Sequence, residues 1–162
     1  MKRLGVASLG LAFSLAAVAA TPGDGFERLK AIAGDWQGDA GGGAALRVGY
    51  RPVSRGSVLV ETWQPGTRAE TMTLFHRDGA RVLATHYCAQ GNQPRLAMRD
   101  EGGAFVFEYV DATNLADPEA SHLHRLVLAP QRDGTLERTE TYRSHGREET
   151  SRVRLRRVAA AP

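Results

Sequence analysis

The sequence predicts an all-β domain: a closed antiparallel up-and-down barrel of about ten strands, preceded by one short helix. Three observations carry that expectation. Segments rich in Val, Leu, Phe, Tyr and Thr recur about every ten to twelve residues from position 35 to the C-terminus, each bounded by Gly, Asp, Asn or Pro. Most connections are of hairpin length, among them VSRG at 53–56, the Asp78-Gly79 turn, EGG at 101–103 and QRDG at 131–134, so neighbours in sequence pair antiparallel. A meander of that many strands loses its two exposed edges by closing on itself.

The chain begins with Lys2 and Arg3, then an apolar run from Leu4 to Ala20 that ends in Ala17-Val18-Ala19-Ala20. A basic start, a short apolar stretch and small residues before a cut describe a secretory signal peptide over residues 1–20. An uncleaved anchor fits less well, because the run is barely long enough to span a bilayer and contains Gly and Ser. The expectation is an exported protein, periplasmic or secreted, with no stable membrane insertion once the leader is gone. Residues 21–162 then form one domain, long enough for one core.

Within that domain, Gly25 to Ala33 places Phe26, Leu29, Ile32 and Ala33 at helical spacing, with Asp24 as N-cap and Gly34 as the stop. Strands are expected at 35–40, 45–52, 57–64, 69–77, 80–88, 94–100, 104–111, 122–130, 135–143 and 148–158. The Gly41-Gly42-Gly43 run lacks the Lys-Ser/Thr of a phosphate loop and reads as a flexible connection.

Charge excludes one class of partner. The 21 basic residues include Lys2 and Arg3, and without those two the formal net charge falls to about +1 against 18 acidic residues. A nucleic-acid footprint needs a basic surplus that this chain lacks. The single cysteine, Cys88, has no internal disulfide partner; it is either a small buried hydrophobe or a reactive or ligating thiol.

In a meander barrel, connections alternate between the two ends. The short turns at 53–56, 78–79, 101–103 and 131–134 gather at one end, which is expected to be closed. Loops 41–44, 65–68, 89–93, 112–121 and 144–147 gather at the other, which is expected to be a mouth. That placement brings Trp63, His86, Cys88, Asn92, Gln93, Arg95, Asn114, His122 and His124 to the mouth. Glu61, Glu140 and Tyr142 are candidates for lining the cavity below it, with solvent as the equal alternative for Glu140.

Strand alternation refines the picture. Arg81 facing water turns Val82, Ala84, His86 and Cys88 inward, and Arg125 facing water turns His122, His124, Leu126 and Leu128 inward. Imidazoles and a thiol converging there would suit zinc, copper or iron, although histidines at strand ends also serve as hydrogen-bonded rim residues. Arg95 either binds an anionic group or pairs with a surface carboxylate. Arg152, Arg154 and Arg156 alternate along the last strand as a solvated outer face.

Gly34-Asp35-Trp36, just after the helix, resembles the Gly-x-Trp opening of calycin barrels, the superfamily of lipocalins and fatty-acid-binding proteins. The run LKAIAGDWQG from Leu29 to Gly38 is similar to the opening of nitrobindin-like and related lipocalin-like bacterial domains, and THYCAQGNQPR at 85–95 is similar to a run in exported lipocalin-like proteins of unassigned function. The resemblance implies a barrel over the whole mature chain. It also implies that Trp36 packs near the closed end under Arg154, Arg156 or Arg157. Nitrobindin-like proteins bind haem through a histidine close to the C-terminus; no histidine follows His145 here, so that ligand does not carry over.

The functional expectation is an exported barrel that holds a small apolar or anionic molecule at its mouth, with His86, Cys88, Asn92, Gln93, Arg95, Asn114, His122, His124, Trp63 and Glu61 as contacts and Val82, Phe105, Phe107, Leu126 and Leu128 as walls. Two alternatives stand beside it. One is a metal or haem site on His86, Cys88, His122 and His124; the other is an enzyme with Cys88 as nucleophile and a histidine as base. A structural or partner-binding barrel would instead have a filled interior.

Overall fold

The computed structural model describes residues 24–39, 45–101 and 103–159. The leader expected at residues 1–20 and the glycine run at 41–43 lie outside them. After helix α1 (Gly25–Lys30) come β1 (Gly34–Asp39), β2 (Ala45–Val53), β3 (Val58–Trp63), β4 (Thr71–Asp78), β5 (Arg81–Tyr87), β6 (Gln93–Glu101), β7 (Ala104–Thr113), β8 (His122–Pro130), β9 (Leu136–Ser144) and β10 (Arg147–Arg157). Each strand pairs antiparallel with its neighbour in sequence. The barrel closes where β1 meets β10, with Trp36 opposite Arg157 and Gln37 opposite Arg156. Gly38 makes that seam possible, because a Cβ there would stand 3.0 Å from Arg154 O and from side-chain carbons of Val153 and Leu155.

The helix is a plug. Asp24 caps it by accepting from Phe26 N at 3.0 Å, and the helix ends at Lys30, three residues short of Ala33, the last residue expected before the stop at Gly34. The reason lies in the next turn. Ile32 O accepts from Trp36 Nε1 at 2.9 Å, and Arg157 donates to the Ala31 and Ala33 carbonyls, so these groups bond outside the helix. Phe26, Leu29 and Ile32 are buried. Lys30 Nζ donates to Gly56 O at 3.3 Å, Arg77 at the end of β4 pairs with Asp24 and Glu27, and Arg28 lies over Phe105 at the start of β7. All of these partners sit at the end predicted to be closed. Arg157 also supplies the basic residue over Trp36, 4.4 Å from the ring centre to the guanidinium carbon.

Above the plug, Leu46, Leu59, Phe75, Val82, Ala84, Leu96, Phe105, Phe107, Leu126, Leu128, Leu136 and Leu155 fill the core. Strand alternation accounts for most of this, but β8 departs from the expected phase. Its pairing with β9 slips between Leu123 and Arg125, so Leu123 lies opposite Tyr142 and His122 opposite Arg143. A bulge at His124 puts Leu123, which has no exposed surface, on the face of Tyr142, while His122, itself buried, lies opposite Arg143. Among the described residues, no helix is long and apolar enough to cross a membrane.

Candidate functional site

Toward the mouth the interior turns polar. Residues directly opposite in neighbouring strands share a face, and successive pairs put Tyr50 beside Glu61 and Glu61 beside Thr73, with Thr73 beside His86 on the next strand. From β9 come Arg138, Glu140 and Tyr142, which share the face of buried Leu136. Arg138, 2 % exposed, donates to Glu61 through Nε at 3.2 Å and Nη2 at 3.0 Å and to Glu140 through Nη1 at 2.7 Å, while its guanidinium lies 4.3 Å from the Trp63 ring centre. Glu61, with no exposed surface, also accepts from Tyr50 Oη at 2.7 Å and Thr73 Oγ1 at 3.0 Å. Its carboxylate is thereby fully bonded.

These contacts set protonation. Burial alone would push the Glu61 carboxyl up, but the charge and hydrogen bonds of Arg138, with the bond from Tyr50, outweigh it and hold the group below the ordinary value. Glu61 is therefore an acceptor only, which commits the Thr73 hydroxyl proton to it. Thr73 Oγ1 lies 3.0 Å from His86 Nδ1, so Nδ1 carries the ring proton and donates. His86 Nε2 is then bare and accepts from Tyr142 Oη at 3.3 Å. Burial lowers the imidazole to about 4 against the opposing pull of Glu61, so His86 is neutral near pH 7. Burial and then the Glu140 charge raise the Tyr142 phenol, which stays protonated.

At the mouth, Tyr142 lines a recess of about 640 Å³ together with Ser121, Ser144, His145, Arg147, Glu148 and Glu149. The rim is held by bonds between loops: Asn92 Nδ2 to Ser121 O at 2.8 Å, Asn114 Nδ2 to Gly91 O at 2.6 Å, Gln90 Nε2 to Ser121 Oγ at 3.2 Å and His145 N to Glu119 O at 2.8 Å.

The expected site residues divide accordingly. Glu61, Trp63 and His86 line the interior together, and half-buried Cys88, one residue beyond β5, has Sγ 3.9 Å from Tyr142 Oη. Asn92 and Asn114 tie loops together. Gln93 does the same, bonding Gly91 O and accepting from Thr113 Oγ1. Arg95 alternates with buried Leu96 on β6, so it lies on the outer face, where it pairs with Asp111. The structure thus gives the surface-pair reading of Arg95 in place of the anion anchor.

His122 and His124 form a second cluster with Tyr109, beyond Glu108 and Arg125, the last register pair of β7 with β8. His122 Nδ1 bonds Ala120 O at 2.8 Å and its Nε2 lies 3.4 Å from His124 Nδ1. Burial, then the His122 and Arg143 charges, lower the His124 imidazole. The proposed metal quartet does not assemble: among the described residues no group of three or more His, Cys, Asp or Glu side chains is placed to hold a metal ion. The Cys88 thiol meets Tyr142 Oη and Gln90 N and has no imidazole among its partners, as a Cys/His nucleophile pair would need.

Three members of the buried network, Arg138, Tyr50 and Thr73, escaped the sequence reading. Arg138 had a signal. On β9 only the face of Leu136, Arg138, Glu140 and Tyr142 carries large apolar side chains, which marks it as inward even though it holds two charges. No protein-family model matches the chain and no curated protein matches it in sequence, so what the site does is argued from its own geometry.

Proposed function

We propose that the protein is an exported binding barrel that takes a small, partly apolar molecule at its mouth, with residues 1–20 serving as the leader that directs export. One observation carries the binding role: the barrel is plugged by α1 at one end, while at the other a recess of about 640 Å³ opens onto Tyr142, whose hydroxyl is wired to the buried network. That volume suits a small organic ligand. Catalysis is the weaker reading, because a general base works best with a proton affinity near the operating pH and His86 lies at about 4.

Native mass spectra of the mature protein, taken from its own export compartment before and after denaturation, test the proposal. A small molecule released on denaturation is the expected result. A bare mass in both spectra, together with no change in the Tyr142 or His86 ring resonances on addition of an extract of that compartment, would sink the binding role.

A further inference from the structure

The direction of the hydrogen bonds limits what the mouth can recognise. The Thr73 proton is committed to Glu61, the His86 Nδ1 proton to Thr73, and the Tyr142 proton to His86 Nε2. A hydroxyl has one proton, so Tyr142 Oη offers only lone pairs to any further partner. Tyr142 lines the recess, so what its hydroxyl has left for a ligand there is acceptor capacity.

A second acceptor stands beside it. Glu149 lies opposite Tyr142 in the β9–β10 register, which puts its side chain on the same face, and it lines the same recess while remaining exposed. A third observation is independent of both. Asn92 is 5 % exposed and its Oδ1 is a buried acceptor without a partner, while its own amide nitrogen is bonded to the carbonyl of the recess residue Ser121. A buried side-chain acceptor left unmet by the protein is uncommon.

Charge points the same way. On the recess Glu148 and Glu149 face Arg147, the one guanidinium among its described lining residues; below it Glu61 and Glu140 face Arg138, whose guanidinium is already committed to both. Carboxylates outnumber cations two to one at both levels, although Arg147, on the same face of β10 as Glu149, is itself a guanidinium at the recess.

We propose that the mouth selects a hydrogen-bond-donating cation, a primary amine on a short apolar chain, with Tyr142 Oη as the neutral acceptor and Glu149 as the counter-ion. This selectivity rests on the binding role proposed above. An ammonium has three protons and no lone pair, which complements a site of acceptors, and its aliphatic tail covers the apolar part of the Tyr142 ring.

The test uses three probes of one chain length, hexylamine, 1-hexanol and hexanoate, titrated at pH 7 into the mature protein while the Tyr142 and His86 ring resonances are followed. Hexylamine is expected to bind about tenfold tighter than either of the others, and Glu149→Gln, an exposed substitution that leaves the core intact, brings it to the level of hexanol. Tyr142→Phe also weakens the amine. Hexanoate or hexanol binding as tightly as hexylamine, or an amine affinity indifferent to Glu149→Gln, overturns the selectivity. Native spectra that release a molecule without a basic nitrogen would overturn the selectivity and leave the binding role standing. If none of the three probes shifts either ring and the native spectra are bare, both fall.

Discussion

The two halves of the barrel interior are built from the same strands by different rules. On β3 the inward residues run from Leu59 to Glu61 and Trp63, on β5 from Val82 and Ala84 to His86, and on β9 from Leu136 to Arg138, Glu140 and Tyr142. Below the change lie Phe75, Phe107, Leu126 and Leu128, closed off by Phe26 and Leu29 of the plug. Contacts there are non-directional and tolerate swaps that conserve volume. Above it Tyr50, Glu61, Thr73, His86 and Arg138 each depend on a named partner, since an unpaired polar group in a low-dielectric interior costs heavily. The polar layer is not the cheapest way to fill a barrel, because buried ion pairs are often no more stabilising than apolar residues of the same size. Its presence at the end opposite the plug is what directs attention to function there.

The largest effect is expected from breaking the pair at the centre of the polar half. Arg138→Met leaves the Glu61 carboxylate buried without its cation, and a loss of about 3–5 kcal/mol in urea denaturation follows. The double variant Glu61→Leu/Arg138→Met removes both charges and is expected to regain most of that stability. A double variant as unstable as the single one would mean that the layer holds the fold together through more than mutual compensation, and the contrast between the halves would weaken.

The apolar half should answer differently. Leu29→Ala opens a cavity beneath the barrel floor at a cost of about 2–5 kcal/mol, and no second substitution elsewhere is expected to rescue it as Glu61→Leu rescues Arg138→Met. Probe shifts at Tyr142 should be unchanged in the folded variant, because the plug and the mouth lie at opposite ends. A loss of mouth binding in folded Leu29→Ala protein would show that the two ends are coupled.

The apolar half was also the more legible in sequence, and the reason is physical. Alternation of apolar residues reports a buried face directly, so the ten strands, the closed barrel, the capped helix and the identity of the closed end could all be read from spacing. Polar inward residues give no such report. His86 was found because alternation from a water-facing Arg81 fixed its face, and Glu61 stood only as a candidate for lining the cavity, whereas Arg138 reads as solvent-facing unless Leu136 and Tyr142 on its own face are weighed with it. His122 and His124 were placed a phase away from where they lie, because a bulge is one residue of slippage in the pairing with β9 that the β8 sequence alone does not reveal. Asn92, Gln93 and Asn114 are polar residues in a mouth loop that hold the loop itself; sequence position cannot separate that role from ligand contact.

The subtlest difference between the halves is in acid. An exposed histidine in the unfolded chain takes up its proton near 6.5, while His86 in the native barrel does so only at about 4 because burial resists the charge. Between those values the unfolded state binds the additional proton, so stability falls as the pH is lowered through that window, by up to about 3 kcal/mol in all. Glu61 acts in the next window down. Its carboxyl is held low, so the stability it contributes is present above its unfolded value and is lost as the pH drops through the folded one. His124, lowered more weakly by burial and by His122 and Arg143, adds a smaller slope of the same sign as His86. Urea midpoints at pH 7, 6 and 5 read the histidine contributions apart from that of Glu61, which lies at lower pH. His86→Gln is expected to be less stable at pH 7, where it loses its bonds to Thr73 and Tyr142, yet flatter between pH 7 and pH 5 than the parent. Leu29→Ala should run parallel to the parent throughout, since no titrating group is altered. A His86→Gln curve as steep as the parent's would place the acid sensitivity outside the polar layer and remove the electrostatic half of the contrast.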